Sequence, residues 1–442
     1  MTGFRREFMR GGLALLTLCG GLACAAPAAA IEIQEVTSPG GIHALLVEDY
    51  TNPLIAMRFA FKGAGTTADP QGREGTVNLL SGLLDEGAGD IGSEAFQAKL
   101  DEFGVSLSFS ATYDNFSGNF RTIVEHSDVA FDLLRLALNE PRFDPEPVDR
   151  IRGQIETGII ANRNDPGTLA GEAFRQTVFP NHPYARSQEG SVESLRAVTV
   201  EDLRHHRDTA FGRDNLVIGV VGAIDAEELG KRLDAVFGPL REKAELVAVP
   251  DVTPVTGARD HVELAVPQTT IQFALPGIAR DDPEFFAAYL MNHILGGGTF
   301  SSRLYEEVRE KRGLAYGVGS YLVDYDHASF LAASTATRAD RADESVSVIR
   351  EQMARLAKDG TDAEELAKAK AYVKGAYAVQ NLSSSLSIAS TLVGIQLDGL
   401  GIDYIDKREG LIDAVSAEDV KAMAQKLLDV DPTIITVGQG EG

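Results

Sequence analysis

Two hydrophobic periods alternate along the chain. Residues 54–61 (LIAMRFAF) form an apolar run of strand length, and residues 75–86 (GTVNLLSGLLDE) set Val77, Leu80 and Leu84 at helical spacing. A second helix is expected over 94–103, stopped by Gly104, and residues 105–113 (VSLSFSATY) then alternate strictly, as a half-buried strand does. Residues 128–139 are helical and run into Pro141. Asp144-Pro145 opens a longer helix through Arg163, ended by Asp165-Pro166. Thr199 to Asp202 forms a capping box before a further helix, and residues 215–221 (NLVIGVV) form a buried strand closed by Gly222.

The second half repeats this order. The run FALPGIARDDPEFFAAYLMNHILGGG again gives strand, turn and helix, and the Tyr-Asp at 113–114 has its counterpart at 325–326, offset by 212. Thr361 to Glu364 caps a long helix, as Asp144-Pro145 does. The segment Val198 to Leu203 recurs as Val415 to Val420, and NLVIGVV recurs as PTIITV, both displaced by about 217. Offsets that agree across several elements indicate a tandem duplication. The expected fold class is α+β, with two tandem homologous domains, each a mainly antiparallel sheet with helices packed on one face. Their expected bounds are 31–240 and 258–442, with a Pro-containing linker at 241–257, and an enclosed space is expected between them.

Residues 296–323 (GGGTFSSRLYEEVREKRGLAYGVGSYLV) concentrate the candidate chemistry. A glycine loop leads to Ser301 or Ser302 as a helix cap, Leu304 and Val308 form a buried stripe, and Glu306, Glu307 and Lys311 belong on an exposed face. Gly313 ends the helix and a strand follows. Arg309 and Tyr316, seven positions apart, meet at that junction.

Composition adds the compartment. The first 30 residues combine Arg5, Arg6 and Arg10 with a short apolar run and Ala28-Ala29-Ala30, the pattern of a secretory signal, with either Sec or twin-arginine export open. Cys19 and Cys24 both lie there, so the mature chain has no thiolate for a disulfide or a metal. These features fit a bacterial periplasm, the expected location, with no membrane span expected in the mature chain. The net charge of −24 excludes nucleic acid as a partner; it favours cationic peptides and equally serves solubility.

The tandem halves, Gly296-Gly-Gly, Ser302-Arg-Leu304, REKRGLAY, Asp165-Pro166, His182-Pro183-Tyr184 and the closing NLVIGVVG together resemble the insulinase and pitrilysin family of inverted zinc peptidases, which includes mitochondrial processing peptidase. The resemblance covers nearly the whole mature chain. In active members an H-x-x-E-H helix binds zinc through its histidines, its glutamate acts as general base, and a distal glutamate completes the site. Laid on that pattern, this chain has Asn78, Ser81 and Gly82 on the helix and Gly158 at the distal position. The resemblance therefore implies that no zinc is bound by this chain.

The family's C-terminal Arg and Tyr match Arg309 and Tyr316. A tyrosine hydroxyl can donate to an oxyanion, and an arginine can hold peptide backbone or neutralise developing charge. Split bacterial members pair a zinc chain with a second chain that keeps only this pair. The resemblance thus implies the non-zinc subunit of a heterodimeric metallopeptidase, partnered by an H-x-x-E-H subunit that holds zinc and binding a peptide substrate. An inactive relative kept as a scaffold is the alternative.

Overall fold

The structure, a computed structural model, describes residues 31–439. The expected signal at 1–30 lies outside the described residues. The first half contributes β1 (Gln34–Thr37), β2 (His43–Glu48), β3 (Leu54–Lys62), a short ribbon of β4 (Gly87–Ala88) and β5 (Ile91–Gly92), β6 (Ser106–Ala111), β7 (Asn115–Ile123) and β8 (Leu216–Gly222). The second contributes β9 (Arg259–Glu263), β10 (Gln268–Pro276), β11 (Ala315–Tyr325), β12 (Ala328–Arg338) and β13 (Thr433–Gly438).

One sheet has the order β1-β2-β8-β3-β7-β6 and the other β11-β12-β10-β13-β9. Read from β6 and from β11, the shared five strands follow the same order. In both sheets the same pair is parallel, β2 with β8 and β9 with β13, and the remaining pairings are antiparallel. The duplication expected from offsets is thus present in topology.

Each half stacks its own helices on one face of its sheet. Under the first sheet Phe59, Phe61 and Phe120 meet the helices Ser127–Asn139 and Ala226–Phe237. Phe59 lies 5.2 Å from Phe237, and Phe61 stacks on Phe211 at 4.3 Å. Burying each such ring is worth roughly 2–3 kcal/mol. Under the second sheet Ile271, Phe273 and Leu331 meet helices Phe285–Asn292, Ala342–Asp359 and Ala417–Leu428.

The opposite faces are covered by exchange. Helix Pro166–Val178, from the first half, packs Ala173 and Phe174 on Ala274, Phe330 and Ile435 of the second sheet. Helix Ser385–Leu397 lies in return on the first sheet, where Gln396 Nε2 donates to the Ile218 carbonyl at 2.9 Å. Gly219 permits this approach, because a Cβ there would stand 2.5 Å from the Ala389 carbonyl oxygen.

The capping boxes at Thr199/Asp202 and Ser416/Asp419 both form, 217 residues apart. Other local expectations change. The helix expected over 75–86 spans Thr76–Ser81; beyond it the chain tightens into i to i+3 turns, starting where Gly82 donates to Leu79. Asp362, rather than Thr361, caps Ala363–Asn381, since its carboxylate reaches the N–H groups of Glu364 and Glu365. Glu307 is buried rather than exposed, held by Lys311 and Arg312, which keep its carboxyl below the usual range.

Candidate functional site

Of the three glycines, Gly296 and Gly297 close a π-helical stretch, His293–Gly297, and Gly298 leads on toward a second, Tyr305–Glu310. Such widened turns are uncommon and cluster at functional sites. Ser302 is fully buried between them; its Oγ donates to the Thr299 carbonyl at 2.9 Å and accepts from the Tyr305 N–H at 3.4 Å. Leu304 and Val308 are buried as expected, fixing the far side of the π-helix in the core. Gly313 then turns back with φ +58°, where a side chain would be strained, and donates to the Arg309 carbonyl.

The strand begins with a bulge. Ala315 pairs with Thr337 and Val318 with Thr335, so Tyr316 and Gly317 together oppose a single residue. The hydroxyls of Thr337 and Thr335 donate to the carbonyls of Leu314 and Gly317 and pin both sides. A bulge re-aims the side chain it carries. Tyr316 accordingly stands 87% exposed, at the start of the edge strand β11.

Arg309 and Tyr316 are brought together. The Arg309 guanidinium carbon lies 4.7 Å from the Tyr316 ring centre and 4.8 Å from that of Tyr305. Stacking between two rings orients the guanidinium plane while leaving its N–H groups available; its one ion pair among the described residues, to Glu310, is long at 3.8 Å. Phe300, 75% exposed, meets Tyr305 edge-on at 5.1 Å. Tyr305 escaped the sequence reading, although its position four residues before Arg309 was a usable signal.

The degenerate zinc positions present a different surface. Asn78 and Ser81 are half-buried on Thr76–Ser81, and Ser81 Oγ is spent on the Asn78 carbonyl at 2.7 Å. Gly82 sits just past that helix, where a Cβ would stand 3.0 Å from a methyl of Ile151. Gly158 lies on Pro145–Asn162, the helix that carries Ile151. Amide, hydroxyl and two glycines do not make a zinc site, and no group of three potential metal ligands occurs among the described residues. The nearby Glu86 is engaged by Arg150 and Ser93. Burial raises its neighbour Asp85 to about 6, so even the acids at hand are occupied or partly neutral.

A second constellation joins the halves. Asp114, in the β6–β7 turn, accepts from the Tyr184 hydroxyl at 2.6 Å and from the Asp326 N–H at 3.1 Å. Tyr184 in turn accepts from the His327 N–H at 3.1 Å. The two Tyr-Asp turns matched by the repeat thus touch through Tyr184.

Residues 197–373 match the family model described as Peptidase M16 inactive domain. An uncharacterized zinc protease of Streptomyces coelicolor is 25% identical over 430 residues, 92% of this chain and 89% of that protein. The non-peptidase homolog YmxG of Helicobacter pylori is 24% identical over 378 residues, 85% of this chain and 87% of that protein. A crystal structure of a peptidase M16 inactive domain from Pseudomonas fluorescens is 27% identical with a TM-score of 0.87, covering 93% of this chain and 99% of that one. A protease structure from Helicobacter pylori, 18% identical with a TM-score of 0.81 over 92% of this chain and all of that one, shares the fold.

Proposed function

The chain is an inactive M16 peptidase homologue, and from that premise we propose that it is the non-zinc subunit of a periplasmic heterodimeric zinc metallopeptidase. In this reading Arg309 and Tyr316 enter the partner's active site, and the partner, an H-x-x-E-H chain, holds the zinc that polarises the scissile carbonyl. The observation that supports it is the exposed stack of Tyr305, Arg309 and Tyr316 at the head of an edge strand. A group held this firmly yet left open to solvent suits an incoming substrate.

Tyr316 donates its hydroxyl to the oxyanion that develops as the peptide carbonyl is attacked, and no proton need be transferred. Arg309, its plane fixed between rings, donates to backbone carbonyls of the extended peptide and offsets the developing charge. The unpaired side of β11 offers main-chain groups to a strand laid against it. No described helix is long and apolar enough to cross a membrane.

The test is peptide hydrolysis by the mature chain, by an H-x-x-E-H chain of the same organism, and by their mixture, with zinc measured in each. Cleavage only by the mixture, with zinc in the partner and turnover cut about 10²-fold by Tyr316→Phe, supports the shared site. A partner equally active alone, or a mutant equal to wild type, leaves the scaffold reading in its place.

A further inference from the structure

A cleft of about 500 Å³ separates the exchanged helix Pro166–Val178 from the open face of the second sheet. It runs along β11, the strand that begins beside Tyr316. Its walls are largely aromatic, with Tyr113 from the first half facing Tyr321, Tyr325 and Phe330 from the second. Its polar side chains are Thr168, Arg175, Ser187, Gln188, Glu189 and Gln272, and they line it as extensively as the apolar ones do. A cleft of this size that sets an aromatic wall against polar side chains has room for a small ligand or a peptide end.

Arg175 sets the chemistry. Its Nε is buried with no hydrogen-bond partner, and its guanidinium makes no hydrogen bond or ion pair among the described residues. Glu189 lines the same cleft without pairing to it. Arg152, Arg207 and Arg213 also leave Nε unpaired, but each donates from another guanidinium nitrogen, which Arg175 does not. A buried donor left unpaired is unfavourable, so the Arg175 Nε calls for an acceptor. Gly171, one turn earlier, keeps the approach open: a Cβ there would stand 3.3 Å from Arg175 Nη1. The planar guanidinium matches a carboxylate bidentately, and the net charge of −24 disfavours a polyanion.

We propose that this cleft binds a peptide end bearing a carboxylate beside an apolar side chain, with Arg175 taking the carboxylate and the wall of Tyr113, Tyr321 and Tyr325 taking the side chain. The surface charge points toward cationic ligands, but of the two charged side chains lining the cleft Glu189 is exposed to solvent, and the half-buried one, Arg175, is positive. Recognition here needs neither a partner subunit nor Tyr316, so it stands apart from the shared-site reading.

The experiment is calorimetric titration of the mature chain alone with N-acetyl-Ala-Phe as the free acid, with its amide, and with N-acetyl-Glu-Phe-amide. The free acid is expected to bind at least tenfold more tightly than the amide. Arg175→Gln should remove that difference, Arg175→Lys should keep part of it, and Tyr316→Phe should leave it unchanged. If the glutamyl amide also binds through Arg175, a side-chain carboxylate serves as well as the chain end, and the site stands. Equal binding of acid and amide by the wild type, or no binding of any of them at millimolar concentration, overturns the proposal without use of a variant.

Discussion

The contact between the two Tyr-Asp turns is expected to act as a bolt between the halves, and Tyr184→Phe removes the part of it that runs through the Tyr184 hydroxyl. The Tyr184 ring is fully buried, 5.3 Å from Tyr113 and 4.7 Å from Tyr325, so phenylalanine preserves the packing. Two hydrogen bonds disappear. Asp114 loses the donor at 2.6 Å and keeps only the Asp326 N–H, while the His327 N–H loses its acceptor. A hydrogen bond to a charged group is worth about 1.5–3 kcal/mol, and a buried N–H left unpaired adds to the loss, so about 2–4 kcal/mol is expected in all. Burial already pushes the Asp114 carboxyl upward, so Asp114→Asn relieves some desolvation while setting its amide against the Asp326 N–H. Its own effect should be smaller, about 1–2 kcal/mol. Urea denaturation of wild type, both single variants and the double variant gives the coupling directly, provided the m-values agree. A coupling of about 1 kcal/mol or more is expected. Additivity within about 0.5 kcal/mol would show that Tyr184 and Asp114 do not act as a unit, and a Tyr184→Phe variant as stable as wild type would show that the turns merely adjoin.

Gly219→Val should destabilise by several kcal/mol, by about 2 or more, because its side chain meets the Ala389 carbonyl and Leu392; a denaturation midpoint unchanged from wild type would mean that helix Ser385–Leu397 does not dock as described. His206 is buried against the Ala64 carbonyl, and burial depresses its pKa from 6.5 to about 4. Its neutral form is the one the fold accommodates, so its contribution is present above about pH 6.5 and is lost as pH falls toward 4. At about 1.4 kcal/mol per unit this is on the order of 3 kcal/mol, and His206→Gln should flatten that acid limb in a stability profile. Restoring the zinc ligands by Asn78→His, Ser81→Glu, Gly82→His and Gly158→Glu should yield well under one zinc per chain by mass spectrometry. Helix Thr76–Ser81 ends before residue 82, and Ile151 crowds that position; stoichiometric zinc in the grafted chain would refute this account.

What the sequence revealed was mostly local or periodic. The caps at Thr199 and Ser416 depend on residues three apart, and the strands Leu216–Gly222 and Thr433–Gly438 are continuous apolar runs, so both survive into the fold with their offset intact. The α+β class and duplicated sheets followed from them. The helix exchange could not be read in this way, because it depends on which sheet a second buried face meets. Ser385–Leu397 (SLSIASTLVGIQL) is apolar nearly all round, a hint that it is covered on several sides, but the hint names no partner. The π-helical turns and the bulge at Tyr316 were equally silent, since both answer to long-range packing. At the candidate site the helix-to-strand junction was expected from Gly313, and the structure places Arg309 beside Tyr316 there. Tyr305 was overlooked as one more helical residue, and Arg175 has no local signal at all: its interest lies in what fails to pair with it.

The two ends of the chain also differ in how completely they satisfy themselves, and that difference bears on function. Around Asn78, Ser81 and Gly82 the polar groups close on one another: Ser81 on its own helix, Ile151 against Gly82, Arg150 on Glu86. Such a surface has no use for a ligand and needs none. Around Arg309 the chain accepts a bulge, two widened helical turns and large aromatic rings in water, at Phe300 and Tyr316, each unfavourable on its own. Local unfavourable features persist where surrounding structure enforces them, and here buried Ser302, Leu304 and Val308 do so from beneath. A protein acting only as a scaffold could let Phe300 and Tyr316 become polar, giving up little beyond their contacts with Tyr305 and Arg309. If Phe300→Ser and Tyr316→Ser each leave the chain as stable as wild type or more so, while the mixture with an H-x-x-E-H chain loses peptide hydrolysis, the exposed stack is there for what it meets. Unchanged hydrolysis by both variants would remove the main support for a shared site.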